Sequence, residues 1–396
     1  MDNNSFSVPG FKASAVAAGL KKDRTLDLAL IFSDREAVTA GVFTKNRVKA
    51  APVLLSIERV KKGRARAVIV NAGNANACTG NEGLENACLT TDLVAKELGI
   101  KPDEVLVAST GVIGAQLDMG LIDKAIPDLV KGLSPHSIPE AAEAIMTTDS
   151  FPKTSQFTGE AEGTPYKIIG IAKGAGMIMP HMATMLCFIL TDIRIGPPEL
   201  KRALSSSIKN SFNRITVDGD TSTNDVVFIM ANGMAGNGSL QKDDYQGFMK
   251  GLNLVMTELS TMIVKDGEGA TKVVFMKIKG AASETDALTA AKTVANSNLV
   301  KTAFYGQDPN WGRIMAALGR SGISMEEDAV DIWIDEVKIV ENGMGLPPDH
   351  EKKAAEKMRN REFSLTIDLH QGEYKDQVTT CDLTHEYVSI NADYRT

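Results

Sequence analysis

A chain of 396 residues is long enough for two or three layers around a substantial core. Its 43% apolar and 23% charged residues are ordinary for a water-facing protein, and a net charge of −7 with no basic stripe argues against nucleic acid as a partner. No apolar run nears the ~20 residues that span a bilayer, the N-terminal MDNNSFSVPGFK has no apolar secretory core, and the four cysteines (Cys78, Cys88, Cys187, Cys381) form no C-x-x-C pair; a cytoplasmic protein with free core thiols, away from membranes, is expected.

Taken in order, residues 26–56 alternate apolar and polar (Leu26, Leu28, Leu30, Phe32, then Val42-Phe43, then Pro52 to Leu55) and predict a meander of two or three strands, with Lys45-Asn46-Arg47 in a turn. Ala67 to Val70 reads as a buried strand running into VNAGNANACTG (Val70–Gly80). So polar a loop after a core strand either turns its amides to a ligand or is a turn held by Asx hydrogen bonds. Gly83 to Leu98 predicts a helix with Leu84, Ala87, Thr91, Val94 and Leu98 on one face and Gly99 as its stop. The strand Val105–Ala108 ends in STGVIG (109–114), where a Gly-containing turn before a helix start would offer free amides to an anion, as an oxyanion hole or as a plain connection.

A short helix (Ala141–Met146) precedes Thr147-Thr148-Asp149 and Pro152-Lys153, and the polar residues 154–164 read as a surface hairpin. Helices are expected over Pro198–Phe212, with Leu200, Leu204, Ile208 and Phe212 inside, and over Tyr245–Ile263. Between them lies Asp218-Gly-Asp-Thr-Ser-Thr-Asn-Asp225, a polar loop whose Asp-x-Asp spacing lacks the twelfth-position Glu of a calcium loop, so no metal is expected. Glu268, bracketed by Gly267 and Gly269, is either held where a ligand approaches or is a solvated loop charge. A strand (Lys272–Ile278), a helix (Asp286–Val300) and the polar-aromatic YGQDPNWG (305–312) lead to alternating strands with one short helix (Glu351–Met358), a smaller C-terminal unit. The terminal INADYRT is too polar for a core strand and is placed to reach into a site.

The chain is organised around Ile168–Asp192. Two short apolar runs, Ile168–Ala172 and Met185–Leu190, read as buried strands joined through Lys173, the flexible Gly174-Ala175-Gly176 and a Met-rich segment. Thr184 then opens the second strand. If the Ala183–Thr184 bond broke, Thr184 would gain an α-amine of pKa about 7.7–8.0 beside its own hydroxyl, a base for a Thr nucleophile. Taken alone, a Thr at that position is more often a simple β-former.

Together these loops resemble the ornithine acetyltransferase family of arginine biosynthesis: AGVFTKN near residue 40, GNANACTG (73–80), STGVIG (109–114), MTTDSFPK (146–153), KGAGMIMP…MATM (173–185), DGDTSTND (218–225), DGEGATK (266–272), GQDPNWGRI (306–314) and the terminal N-x-D-Y-x-T. The resemblance implies an α/β (α+β) fold with two mixed sheets between helices, similar to self-cleaving aminopeptidases and N-terminal-nucleophile hydrolases. It implies a cut between Ala183 and Thr184 into an α chain (1–183) and a β chain (184–396), with 184–280 completing the catalytic core and 281–396 forming the smaller unit. Thr184 would be the nucleophile and Thr110 with Gly111 the oxyanion hole. Thr147, Lys173, Thr184, Glu268, Asn391 and Thr396 would contact substrate. The implied reaction is acetyl transfer from N2-acetyl-L-ornithine to L-glutamate through an acetyl-Thr184 enzyme, in a heterotetramer of two α and two β chains. His181, close to Thr184, is expected to be structural, since the α-amine already fills the role of base. Acetyl-CoA as an additional acetyl donor is left open, since CoA binding has no obligatory short motif. An N-terminal-Thr aminopeptidase or amidase on the same scaffold, and a binding protein that never matures, are the competing expectations.

Overall fold

Residues 6–179 and 185–393 are described in the computed structural model. The first half holds β1 (Phe11–Val16), β2 (Leu28–Phe43), α1 (Ala51–Val60), β3 (Arg64–Asn74), α2 (Gly80–Leu98), β4 (Val105–Val112), α3 (Met119–Lys131) and α4 (Ile138–Ala144). Then come β5 (Lys153–Ala161), β6 (Thr164–Lys173), β7 (Leu186–Thr191), α5 (Pro197–Asn210), β8 (Val226–Ala231) and α6 (Lys242–Lys265). The C-terminal part holds β9 (Val273–Ala281), α7 (Glu284–Ala295), α8 (Asn298–Tyr305), α9 (Trp311–Gly319), β10 (Asp331–Ile334), β11 (Val337–Glu341), β12 (Met344–Gly345), α10 (Pro348–Met358), β13 (Glu362–Asp368), β14 (Tyr374–Cys381) and α11 (His385–Asp393).

The strands before β9 form one mixed sheet in the order β4-β3-β2-β8-β7-β6-β5, with β1 paired to β2. The long β2 divides it. Leu28–Phe32 pair with β3, Val38–Phe43 pair with β8, and the register to β3 shifts between Phe32 and Ala37. Alternation then settles the layers. Ala29, Ile31, Val68, Val70, Leu106 and Ala108 of one half meet Ile169, Ile171, Phe188, Leu190, Phe228 and Met230 of the other in a single buried cluster. The intervening residues face outward on both sides: Leu28, Leu30, Ile69 and Val107 pack under α2 and α3, and Ile168, Cys187, Ile189 and Ile229 pack under α5 and α6. The outcome is a helix–sheet–sheet–helix stack, with two sheet faces between helices as the family resemblance implied. A six-stranded mixed sheet, β12-β11-β10-β13-β9-β14, packs with α7, α9 and α10 around its own core. Here β9 pairs in parallel with β13 and antiparallel with β14, so this sheet starts at Val273.

Some local expectations give way. Pro52–Leu55, expected as a strand, lies in helix α1: Pro52 occupies the first turn, where its missing N–H costs nothing, and Val53 and Ser56 are buried while Leu54 is 46% exposed. Leu84, expected on the buried face of α2, is 40% exposed; Gly83, Ala87, Thr90, Thr91 and Val94 line that face. No helix starts at STGVIG, because Ser109–Val112 continue β4 and α3 begins only at Met119, capped by Asp118. Val70–Asn74, expected as loop, continue β3. The helix expected over Asp286–Val300 breaks at Asn296-Ser297 into α7 and α8. All four cysteines are free, but only Cys187 and Cys381 are core thiols; Cys78 is exposed and Cys88 partly so.

Phe228 is 1% exposed on β8, between the two sheet halves, and packs against Phe43 and Phe188. Phe228→Ala opens a cavity in the layer that both halves share and is expected to lower stability by about 3–5 kcal/mol. Denaturant melts of the two proteins measure it.

Candidate active site

The ends of several strands converge on one cavity of about 210 Å³. Its lining includes Thr110 and Gly111 from β4, Thr147, Lys173 from β6, Glu268 after α6, and Asn391 from α11. Six residues that the sequence set apart are thus brought together from across the chain. Ala183, Thr184 and Thr396, with His181, lie outside the described residues.

The Thr110–Gly111 turn owes its shape to glycine. Gly111 has φ +129°, and a Cβ there would sit 2.3 Å from the Gly73 carbonyl carbon of the paired β3. No other residue fits at that approach. Asn224 ties this turn to the far half of the sheet, its Nδ2 donating to Ala75 O (2.7 Å) and Ser109 O (2.8 Å).

Opposite lies a buried charge network. Lys153, at the start of β5 and fully buried, donates to Asp149 Oδ1 (2.7 Å) and Asp266 Oδ2 (2.5 Å). Asp149 also accepts from Gly174 N (2.6 Å) and Thr147 N (3.0 Å). Its other oxygen lies 3.7 Å from Lys173 Nζ. Lys173 in turn donates to Thr147 Oγ1 at 2.7 Å and reaches Thr110 Oγ1 at 3.4 Å. Burial works to raise the Asp149 pKa, but Lys173 and Lys153 outweigh it and hold the carboxyl well below the usual carboxylate range. Burial pulls Lys173 down from its ordinary value, Asp149 opposes this, and Lys153 adds to it. Two lysines thus share two carboxylates, and one lysine faces the cavity.

The far wall is acidic. Glu268 Oε2 accepts from Asn391 Nδ2 at 2.7 Å, and its backbone N–H donates to Ala175 O at 3.1 Å. A Cβ on Gly176 would meet the Glu268 carboxylate at 2.4 Å, so that glycine lets the loop and the carboxylate pass. Asp218 and Asp220 also line this wall, and Tyr387 stands over it from α11. Burial, with Asp220 adding to it, pushes Asp218 up to about 6. Asp149, Lys153, Asp218, Tyr387 and Asn224 were not singled out as site residues from sequence. The motifs MTTDSFPK and DGDTSTND contain four of them, but nothing local told which side chains are buried against the cavity.

Asp149→Asn leaves two buried lysines short of charge compensation and is expected to cost about 3–5 kcal/mol. The sign with pH follows from the depressed carboxyl. Its stabilisation is present in full above the unfolded value near 3.9 and is lost progressively as pH falls from about 4 towards the much lower folded value. Thermal melts from pH 7 to 3 should therefore show wild type and variant converging on the acid side.

The sequence profile of the ArgJ family matches residues 12–396. The arginine biosynthesis bifunctional protein ArgJ of Geobacter sulfurreducens is 53% identical over 392 residues, covering 98% of this chain and 100% of the relative. That of Desulfotalea psychrophila is 48% identical over 393 residues, covering 98% and 99%. A crystal structure of arginine biosynthesis bifunctional protein ArgJ from Bacillus halodurans is 41% identical with a TM-score of 0.50, covering 52% of this chain and 98% of that one. On the strength of the full-length matches, the chain belongs to the ArgJ family.

Proposed function

We propose that the protein is an ornithine acetyltransferase of arginine biosynthesis, moving the acetyl group of N2-acetyl-L-ornithine to L-glutamate. One observation carries this: Lys173 and Glu268, of opposite charge, face one cavity across the Thr110–Gly111 turn. A substrate with a carboxylate and a distant ammonium matches such walls. Lys173 suits the α-carboxylate as a compact cation, held by Thr147 at 2.7 Å. Glu268, oriented by Asn391, suits the side-chain ammonium of ornithine. Thr110 and Gly111 meet the oxyanion of a tetrahedral intermediate.

The nucleophile is Thr184, freed by a cut after Ala183. Its Oγ attacks the acetyl carbonyl while the α-amine takes the hydroxyl proton; the C–N bond breaks, the proton passes to the leaving amine, and ornithine departs. Glutamate then attacks the acetyl ester through its amine, its proton returns to Thr184 Oγ, and N-acetylglutamate leaves. The half-length of the solved relative supports a cut near the middle, since 98% of that chain covers 52% of this one. The mature form is a cytoplasmic heterotetramer of two α and two β chains, in which Thr396 joins the substrate contacts.

Intact mass of the purified protein is expected to give two fragments, the second starting at Thr184, and Thr184→Ala a single inactive chain. Acetylornithine should then turn over only with glutamate present. Acetate released at an undiminished rate without glutamate would instead mark a hydrolase. Gly111→Ala displaces the oxyanion turn and is expected to lower kcat by about 10²–10³ with little change in KM. Steady-state kinetics on the cleaved protein read this out.

A further inference from the structure

The loop from Asp218 to Asp225 lines the cavity and braces the oxyanion turn but takes no chemical step in the acetyl transfer above, and it also holds the chain upstream and downstream of the proposed cut. On the upstream side Asp218 accepts from Met177 N (2.5 Å) and Ile178 N (2.9 Å). The residues just before it add to the grip: Val217 N donates to Ile178 O at 2.8 Å, and the Thr216 hydroxyl is shared between the same carbonyl (3.0 Å) and Asn296 Oδ1 (2.6 Å). Met177 is held there at φ +59°, a left-handed conformation that methionine rarely adopts. On the downstream side the fully buried Asp225 accepts from Met185 N at 3.1 Å, and Val226 N donates to Met185 O at 3.1 Å.

The loop itself is braced. Thr44 Oγ1 donates to Ser222 O (2.7 Å), Asn46 Nδ2 to Thr221 O (2.9 Å), and Ala50 N to Thr223 O (3.0 Å). Asn224 binds the strand that carries the oxyanion turn, at Ser109 O. The two grips and the Thr110–Gly111 donors therefore belong to one rigid unit.

We infer that the 218–225 loop is a clamp for self-cleavage, in which Asp218 and Asp225 are positioning residues that hold Met177-Ile178 and Met185, the described residues upstream and downstream of the proposed cut, on the unit that carries the Thr110–Gly111 turn. This rests on the proposed cut. In that step Thr184 Oγ bonds to the Ala183 carbonyl carbon, the peptide C–N bond breaks, and the hydroxyl proton ends on the Thr184 nitrogen. Water then splits the ester, its hydroxyl going to the Ala183 acyl carbon and its hydrogen to Oγ. Such an intramolecular attack depends on alignment of the reacting atoms, and fixing both flanks supplies it. Both carboxylates act through backbone amides, so what matters is an accepting oxygen rather than a charge. Burial pushes Asp225 well above the ordinary range, towards its neutral form, and asparagine is accordingly a close substitute.

The test is the time course of fragment appearance in freshly synthesised full-length chains, by intact mass, with a thermal melt of each protein. D218A and D225A should cut about ten-fold or more slowly while melting within a few degrees of wild type, and D225N should cut near the wild-type rate. Where an alanine variant does not fold, T216V, which removes the hydroxyl that bridges Ile178 O and Asn296 Oδ1, takes its place with the same expected slowing. A wild-type chain that stays whole would remove the proposed cut itself. A wild type that cuts, with D218A and D225A (or T216V in place of one that does not fold) cutting equally fast, would overturn the clamp and leave the cut standing. So would equal slowing of D225A and D225N that follows a loss of melting temperature.

Discussion

Two lysines and two carboxylates buried between β5, β6 and the end of α6 are the constraint on which the site depends. Removing such charges from water is costly unless each finds a partner. Lys153 satisfies Asp149 and Asp266, and Asp149 in turn collects the amides of Thr147 and Gly174. The chain is thereby fixed where β6 ends, and Lys173 is held with its ammonium on Thr147 beside the cavity. Loosening Asp149 would release the 147–149 turn and the Gly174 amide together.

This network sits where it does because of the way β2 divides its pairing. With its first part on β3 and its second on β8, β2 lets two sheet halves pack face to face, so that the end of β4 lies across from the end of β6 and the start of β8. The Asn224 bonds to Ala75 and Ser109 are the direct link between those ends. A turn presenting amides on one half can therefore work with a lysine and a glutamate borne by the other. Helix α11 adds Tyr387 and Asn391 although none of its residues is buried; it is positioned by polar contacts, such as Asn391 to Glu268, rather than by a core of its own.

Much of the fold was legible in order. The strands of the central sheet declare themselves by runs such as Ala67–Val70 and Met185–Leu190, and α5 and α6 by apolar residues at helical spacing, because burial of a strand or helix face leaves a local periodicity. Thr110, Gly111, Thr147, Lys173, Glu268 and Asn391 were legible through family motifs, and all six line one cavity. Pro52–Leu55 misled because a short apolar run carries too few residues to tell a strand from a helix whose first turn holds proline. Asp149 and Lys153 were missed as a pair since a charge on a polar loop looks solvated until the fold buries it.

By itself, then, the sequence determined what depends on neighbours along the chain: which segments are strands or helices, which faces are apolar, and which glycines allow close backbone approach. Its motifs also determined membership of the ArgJ family. Only the tertiary structure decided which polar residues share a cavity, that Asp149 balances Lys153 and Lys173, and that the two ends of the 218–225 loop hold Met177, Ile178 and Met185. Those pairings join residues far apart along the chain. They arise from dehydration of charges and amides, which follows from how layers stack and leaves no periodic trace in the residues themselves.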